Sequence, residues 1–353
     1  MAKTIFILAG GTGGHVYPAL AVAMQLRAQG FEPVWLGTTQ GLEAKVVPNE
    51  GIKFEAINIS GLRGKKFAKI FNLPLQLFSA IRQSMKLIKQ HKPVLVIGFG
   101  GYVAGPGCIA AVLKKIPLVL HEQNTRPGMT NKYMAKFAKK VCASFPNSFP
   151  GKNVIITGNP VREDILAINK VKAAEQDKPL KILVLGGSQG AQAINAIMPE
   201  VIAKLPEPVK VWHQAGLKNF KQTSKLYQDL NITVRVVPFI KTMSKAYEWA
   251  DLVIARAGAT TVAELAIARC PSILIPYPHA TDDHQTTNAK YLANQHGAVI
   301  MPQVTLQVSD LTEKISSFLK NRTYLSEMTE NLTSLGMRNA TRDIVKICLE
   351  NAK

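Results

Sequence analysis

The sequence predicts an α/β protein of two similar domains, each built on a parallel sheet. Three observations lead there. One unit occurs twice. The apolar run Thr4–Leu8 enters Gly10-Gly11-Thr12-Gly13-Gly14-His15 and a helical pattern; Ile182–Leu185 enters Gly186-Gly187-Ser188-Gln189-Gly190-Ala191 and another. Short β-branched runs alternate with helical patterns along the chain, and several are continuous apolar runs, as in strands covered on both faces. The length of 353 residues suits about two domains. A strand, a glycine turn and a helix N-terminus make a phosphate cradle: amides point outward, the helix dipole favours negative charge, and glycine lets a ligand approach the backbone. Two such units half a chain apart make a nucleotide-type ligand between two facing domains the first expectation.

In the first half, strands are expected at 4–8, 33–37, 54–58, 94–97, 117–121, 140–143 and 154–157. After Pro160 the series restarts at 181–185, 209–214, 233–237, 252–254, 272–276 and 298–301. Right-handed crossovers follow from the intervening helical patterns. Lys170–Pro179 is polar and reads as a linker or domain edge. From about Leu311 to Lys353 the chain reads as mainly helical. The domains are drawn at 1–160 and 161–336, and the last helix, about 337–353, is expected to return to the first, as is common in two-domain chains of this kind. Val94–Leu113 runs 20 residues without a charge, the length of a membrane span. Its five glycines and Pro106 predict instead a strand (94–97), a glycine loop and a helix (about 106–114). Met1–Leu8 imitates a signal peptide, but its apolar run is too short.

The formal charge of +20 is lopsided: residues 1–160 hold 20 Lys+Arg against 5 Asp+Glu, the remainder 23 against 18. Such a field attracts anions: nucleic acid, an anionic membrane surface or a phosphorylated substrate. No zinc finger, helix-turn-helix or RNP motif supports nucleic acid as a partner. Cys108, Cys142, Cys270 and Cys348 are far apart and form no CxxC; they read as reduced, buried thiols of a cytosolic protein. His279, Asp282, Asp283 and His284 cluster in sequence but read as a polar loop, so no metal site is expected. Between Gly61 and Lys89, basic and bulky apolar residues alternate. That pattern suits a surface lying on anionic lipid, or a helix with its apolar stripe in the core.

Several short stretches carry chemistry. GGTGGH at 10–15 fits neither GxGxxG nor a P-loop, which needs a lysine. His15, at the mouth of that loop, suits a general base, a phosphate donor or a helix cap. Gly186–Ala191 offers the Ser188 hydroxyl and backbone amides to a diphosphate. Arg256–Glu264 is another small-residue loop opening a helix. Glu264 suits two ribose hydroxyls, or it is a first-turn acid stabilised by the dipole. Asp282–Ala289 is rich in groups that sugar hydroxyls need. His121-Glu122-Gln123-Asn124 and Asn159-Pro160-Val161-Arg162 follow strands, where open α/β sheets bind ligands.

Taken in order, AGGTGGHVYPALAVA (9–23), IGFGGYVAGP (97–106), HEQNTRPGMTNK (121–132), TGNPVR (157–162), LGGSQGAQAIN (185–195), ARAGATTVAEL (255–265) and DDHQTTNA (282–289) resemble the MurG family. These are the UDP-N-acetylglucosamine–muramyl-(pentapeptide) pyrophosphoryl-undecaprenol N-acetylglucosaminyltransferases of peptidoglycan synthesis. The match spans essentially the whole chain. One local departure is His284-Gln285, where some relatives carry two adjacent glutamines.

The resemblance implies a GT-B fold, two Rossmann-like domains with parallel sheets facing across a cleft. It implies transfer of GlcNAc from UDP-GlcNAc to the 4-hydroxyl of the muramoyl sugar of lipid I, giving lipid II, with inversion at the anomeric carbon and no cofactor. By the same resemblance the backbone of Ile240 meets uracil, Glu264 the ribose, Ser188 and its loop the diphosphate, and Gln285 the GlcNAc hydroxyls. Ala259, Thr260, Thr261, Val262 and Ala263 line that pocket, while Thr12, Gly13, Gly14, Asn124 and Arg162 close on the donor from the other domain. His15 is the first candidate for the base. The first domain takes lipid I and the anionic membrane, placing the protein peripherally on the cytoplasmic face of the inner membrane. The alternative is another GT-B enzyme acting on a UDP-sugar, such as a UDP-GlcNAc 2-epimerase.

Overall fold

The computed structural model of the chain describes residues 2–59, 73–151, 153–169, 176–186 and 190–352. Contacts divide it into two compact units, Met1–Arg162 with Arg338–Lys353, and Glu163–Met337. Of the expected features, Ser188, Gly187 and Gln189, Gly61–Asn72 in the basic segment, and 170–175 of the linker lie outside the described residues.

The first unit carries a seven-stranded parallel sheet: β1 (Thr4–Leu8), β2 (Glu32–Gly37), β3 (Lys53–Ala56), β4 (Leu95–Gly98), β5 (Leu118–Glu122), β6 (Lys140–Ala143) and β7 (Ile155–Ile156). Their order is β3-β2-β1-β4-β5-β6-β7. The centre of the sheet, β1, β4 and β5, is buried on every residue. This is why those runs are continuously apolar and not alternating. Register sets Leu8 beside Leu36 on one side and Gly98 on the other. The uncharged stretch 94–113 divides into β4, a turn and the helix Ala104–Leu113. No helix among the described residues is long and apolar enough to cross a membrane.

In the second unit, β8 (Leu180–Leu185), β9 (Val209–Gln214), β10 (Arg235–Val237), β11 (Leu252–Ala255), β12 (Ser272–Leu274) and β13 (Ala298–Ile300) form a parallel sheet ordered β10-β9-β8-β11-β12-β13. Both sheets thus share one doubly wound order, reversing beside their first strand, the Rossmann-like arrangement. β12 stops at Leu274, before Pro276 and Pro278, which cannot donate to a ladder.

Each unit has its own cores. The helix Gly13–Ala28 buries Val16, Ala19, Val22, Ala23 and Leu26 against one face of the first sheet. The terminal helix Ala340–Asn351 adds Ile344, Val345, Ile347 and Cys348 to that same cluster. In the second unit, Ile194, Met198 and Val201 of the helix Gln192–Ala203 pack with Leu311, Ile315 and Phe318 of the helix Val308–Lys320. All four cysteines are buried, and none forms a disulfide among the described residues. Burial pushes the Cys108 and Cys142 thiols up to about 12, which leaves them inert as nucleophiles.

Candidate functional site

In each unit the glycine-rich or small-residue loops sit at the carboxyl ends of the strands where the sheet order reverses. In the first unit these follow β1 and β4. The chain leaves β1 through Ala9, whose carbonyl accepts the buried Trp35 indole N–H at 2.9 Å. Thr12 is the N-cap, in extended conformation, and the helix begins at Gly13. Its first amides have no acceptor within the helix and so are offered outward. Gly13, Gly14 and His15 are half-buried and Thr12 is exposed. His15 is the third helical residue, so it is not the cap; its Nδ1 lies 3.4 Å from Thr12 Oγ1. The turn after β4 closes against this loop. Gly101 has φ +80, and a Cβ there would lie 2.6 Å from the Gly10 carbonyl and 3.7 Å from His15 Nδ1. Thr130 Oγ1 donates to the Gly101 carbonyl at 3.0 Å, which joins the segment after β5 to the same place.

That third segment is organised by Glu122. Its Oε1 accepts the Asn124 backbone N–H (3.0 Å) and side-chain amide (3.3 Å); its Oε2 accepts Gly128 N–H (3.1 Å) and Asn131 Nδ2 (2.9 Å). Burial pushes this carboxyl above the usual carboxylate range, while the four donors favour the anion and pull against that rise. Beneath it, His121 is fully buried. Its Nε2 donates to the Gly158 carbonyl (3.0 Å) and its Nδ1 accepts from Gln123 Nε2 (3.0 Å), which fixes one neutral tautomer. Burial holds its pKa down to about 4. Asn124 therefore stands at the mouth of the loop with its amide nitrogen turned to Glu122. Arg162, half-buried, ends this unit.

In the second unit the matching loops follow β8 and β11. Gly190 has φ +78, and a Cβ there would press on the Ala215 carbonyl at 2.7 Å and on Asn219. The same Ala215 carbonyl accepts Asn195 Nδ2 at 2.8 Å. Asn195 Oδ1 accepts His213 Nε2–H (3.0 Å), and His213 Nδ1 accepts the Tyr227 hydroxyl (3.0 Å). Burial lowers the His213 pKa to about 3, which keeps the ring neutral and leaves Nδ1 as the acceptor. After β11, Gly258 caps the helix Ala259–Ala268, with Thr260 and Thr261 half-buried in its first turn and Ala259 and Val262 buried. Thr260 Oγ1 is buried and makes no hydrogen bond within the chain. Glu264 is the sixth residue of that helix, in its second turn. The dipole is felt mainly in the first turn, so it is not what holds this acid. Its Oε2 accepts the Tyr247 hydroxyl at 2.9 Å instead.

Two further expected contacts are already engaged. Ile240 N–H donates to Gln214 Oε1 at 2.9 Å, and Gln285 Oε1 accepts Tyr277 N–H at 2.9 Å. Arg256, over the Tyr277 ring, donates to the Ile275 and Pro276 carbonyls and to Gln303. Among the described residues, no three or more His, Cys, Asp or Glu side chains gather as a metal would need. The cluster at 279–284, expected as a loop, is a short 3-10 turn (Thr281–Asp283) that runs into the helix His284–Ala293: His284 Nδ1 donates to the Thr281 carbonyl, and Asp282 and Asp283 both have positive φ.

The structure also divides the basic-apolar segment. In the helix Leu73–His91, Ala80, Ser84 and Ile88 form the inward stripe. Leu75 and Phe78 do not join it: they are 70% and 60% exposed. Arg82 stands over the Phe78 ring, and Lys86 is exposed a turn further on. Leu113, Tyr133 and Phe137 on neighbouring segments are exposed as well, beside Lys114, Lys115, Lys132 and Lys136.

Sequence reasoning missed Glu43, Asn131, Gln214 and Tyr247, which orient the loops from behind. The first had one available signal: residues 1–160 hold only 5 acids, and Glu43 and Glu122 are two of them.

Comparison with known proteins agrees with this geometry. The glycosyltransferase family 28 N-terminal domain matches residues 5–143 and the family 28 C-terminal domain matches 181–346. The UDP-N-acetylglucosamine--N-acetylmuramyl-(pentapeptide) pyrophosphoryl-undecaprenol N-acetylglucosamine transferase of Methylococcus capsulatus is 46% identical over 100% of this chain and 99% of its own. The Pseudomonas syringae pv. syringae protein of the same name is 43% identical over the same shares. The crystal structure of Acinetobacter baumannii MurG superposes with a TM-score of 0.84 at 40% identity, covering 99% of each chain. A kitacinnamycin glycosyltransferase, at 15% identity and TM-score 0.72, shares the fold alone. By family model, full-length identity and fold, the chain belongs to the MurG family of GT-B N-acetylglucosaminyltransferases.

Proposed function

We propose that this protein moves GlcNAc from UDP-GlcNAc to the 4-hydroxyl of the muramoyl sugar of lipid I, forming lipid II. Full-length identity to proteins of that name is the observation that carries the reading. The Methylococcus and Pseudomonas relatives named above both carry the transferase name and lend the epimerase alternative no support. The donor is α-linked and the product β-linked, so a single displacement is required. The acceptor oxygen attacks the anomeric carbon, a base takes its proton, and the bond to the phosphate oxygen breaks with its electron pair leaving on UDP. A positioned base and dipoles aimed at the departing diphosphate lower that barrier.

On this reading the second unit holds the donor. Ile240 offers uracil its carbonyl, since its N–H is held by Gln214. Glu264, oriented by Tyr247, takes the ribose hydroxyls. Ser188 and its loop take the diphosphate, with Ala259 to Ala263 lining the pocket. Gln285 keeps its amide nitrogen for GlcNAc, because its oxygen is spent on Tyr277. In the first unit, Thr12, Gly13, Gly14, Asn124 and Arg162 act on the donor, and His15 is the base.

The first unit also docks on the membrane. Exposed Leu75 and Phe78 beside Arg82 and Lys86 form a surface with apolar side chains to bury and cations for anionic headgroups. The enzyme is then a peripheral protein of the cytoplasmic face of the inner membrane, where lipid I lies. Transfer of labelled GlcNAc from UDP-GlcNAc to a lipid I analogue, with EDTA present, tests the reading. Labelled lipid II supports it; binding of UDP-GlcNAc without transfer overturns the acceptor.

A further inference from the structure

We infer that Glu43 is a positioning residue for the transfer reaction: it holds the glycine loop after β1 and thereby sets the helix N-terminus and His15. The inference rests on the proposed function and deepens it. Glu43 lies in the short helix Glu43–Val46 and is fully buried. Its Oε2 accepts Gly11 N–H at 3.1 Å; its Oε1 accepts Thr38 N–H at 3.1 Å and the Thr38 hydroxyl at 2.9 Å. It forms no ion pair among the described residues. A buried carboxylate without a cation is costly, and an apolar side chain would fill the volume more cheaply. What the carboxylate does that an apolar side chain cannot is bind two loops at once, the one after β1 and the one after β2.

The surrounding backbone is shaped around it. A Cβ on Gly10 would lie 2.7 Å from Glu43 Oε1, one on Gly37 2.7 Å from its Cγ, and one on Gly41 would overlap the carboxylate. Three glycines from two loops therefore leave room for one acid. The consequence at the site is direct. Gly11 has φ +94, and its N–H points into the protein to Glu43, not toward a ligand. One residue later comes the N-cap, Thr12, and three after that His15. The inward pull on Gly11 fixes where the outward amides of Gly13 and Gly14 begin and where the imidazole stands. Misplacement by an ångström is enough to lower turnover strongly.

Three variants test this. Glu43→Gln keeps the shape, but its NH2 faces a donor, so it cannot serve Gly11 and Thr38 together. Gly41→Ala keeps the charge and displaces it. Thr38→Val removes one donor only. Glu43→Gln and Gly41→Ala should each lower kcat by about tenfold or more, a larger effect than any rise in the calorimetric Kd for UDP-GlcNAc, since Gly13 and Gly14 move with the loop. Thr38→Val should cost only a few fold. A merely structural acid would lower Tm and leave kcat of the folded enzyme unchanged. Amide exchange by NMR adds a readout independent of activity: Gly11 should exchange about tenfold or more faster in Glu43→Gln. Unchanged kcat, or unchanged Gly11 exchange, overturns the role. If the parent enzyme transfers nothing to lipid I, the functional reading falls, while the exchange result still decides whether Glu43 holds the loop.

Discussion

Replacing Glu264 with alanine separates two roles that its position allows, ribose ligand and partner of Tyr247. Tyr247 is fully buried and its hydroxyl donates to Glu264 Oε2 at 2.9 Å. Truncation orphans that hydroxyl, which costs about 1–3 kcal/mol of stability, or about 2–4 °C in Tm per kcal/mol for a unit of this size. If the carboxylate also holds a ribose hydroxyl, a charge-assisted bond worth about 1.5–3 kcal/mol is lost, and KM for UDP-GlcNAc rises about ten- to hundredfold. The ribose does not change during the reaction, so kcat should stay near that of the parent. Tyr247→Phe provides the control. It leaves the acid in place and loosens it, so KM should rise only a few fold. Adding Tyr247→Phe to Glu264→Ala removes the orphan hydroxyl; it should recover stability without recovering KM. Steady-state kinetics and thermal melts of the three variants read this out. A lowered Tm with unchanged KM in Glu264→Ala would show that the acid serves Tyr247 alone.

Further outcomes follow from the same structure. His15→Ala should lower kcat by about 10²-fold or more if the ring is the base; a loss of a few fold in the transfer assay would leave it a binding role. His121 and His213 are held neutral, with pKa values down to about 4 and about 3 against an ordinary 6.5. The unfolded chain therefore binds more protons below pH 6.5, and stability should fall by about 1.4 kcal/mol per pH unit per ring down to those values. NMR should show neither ring titrating between pH 7 and 5, and urea midpoints should drop over that range; a midpoint flat to pH 4.5 would refute it. Leu75→Ser with Phe78→Ser should weaken sedimentation with anionic vesicles and leave Tm unchanged, since neither side chain lies in a core. Vesicle binding equal to that of the parent would remove this helix from the membrane surface.

The fold was legible because buried parallel strands announce themselves as apolar runs. Each expected strand is present, with ends displaced by a few residues where prolines or turn geometry decide. The position of the glycine-rich and small-residue loops at strand ends was legible too, since glycine there permits turns that other residues resist. The layer behind them was not. Glu43, Gln214 and Tyr247 meet the loops across long sequence separations, and no spacing rule links Gly11 to Glu43. Of the two readings of Glu264, the first-turn acid fails because the helix starts at Ala259, which sets the carboxylate one turn inside. The basic segment defeated periodicity for another reason: its helix carries two apolar faces, one inward through Ala80 and Ile88, one exposed at Leu75 and Phe78.

The central claim is the identity of the reaction, and the product decides it. The enzyme would be incubated with ¹³C-labelled UDP-GlcNAc and a lipid I analogue, and the sugar resonances followed by NMR. The account predicts β-linked GlcNAc on the 4-hydroxyl of the muramoyl sugar, with the unreacted donor unchanged. An untouched acceptor beside a donor whose configuration at carbon 2 has inverted would contradict it.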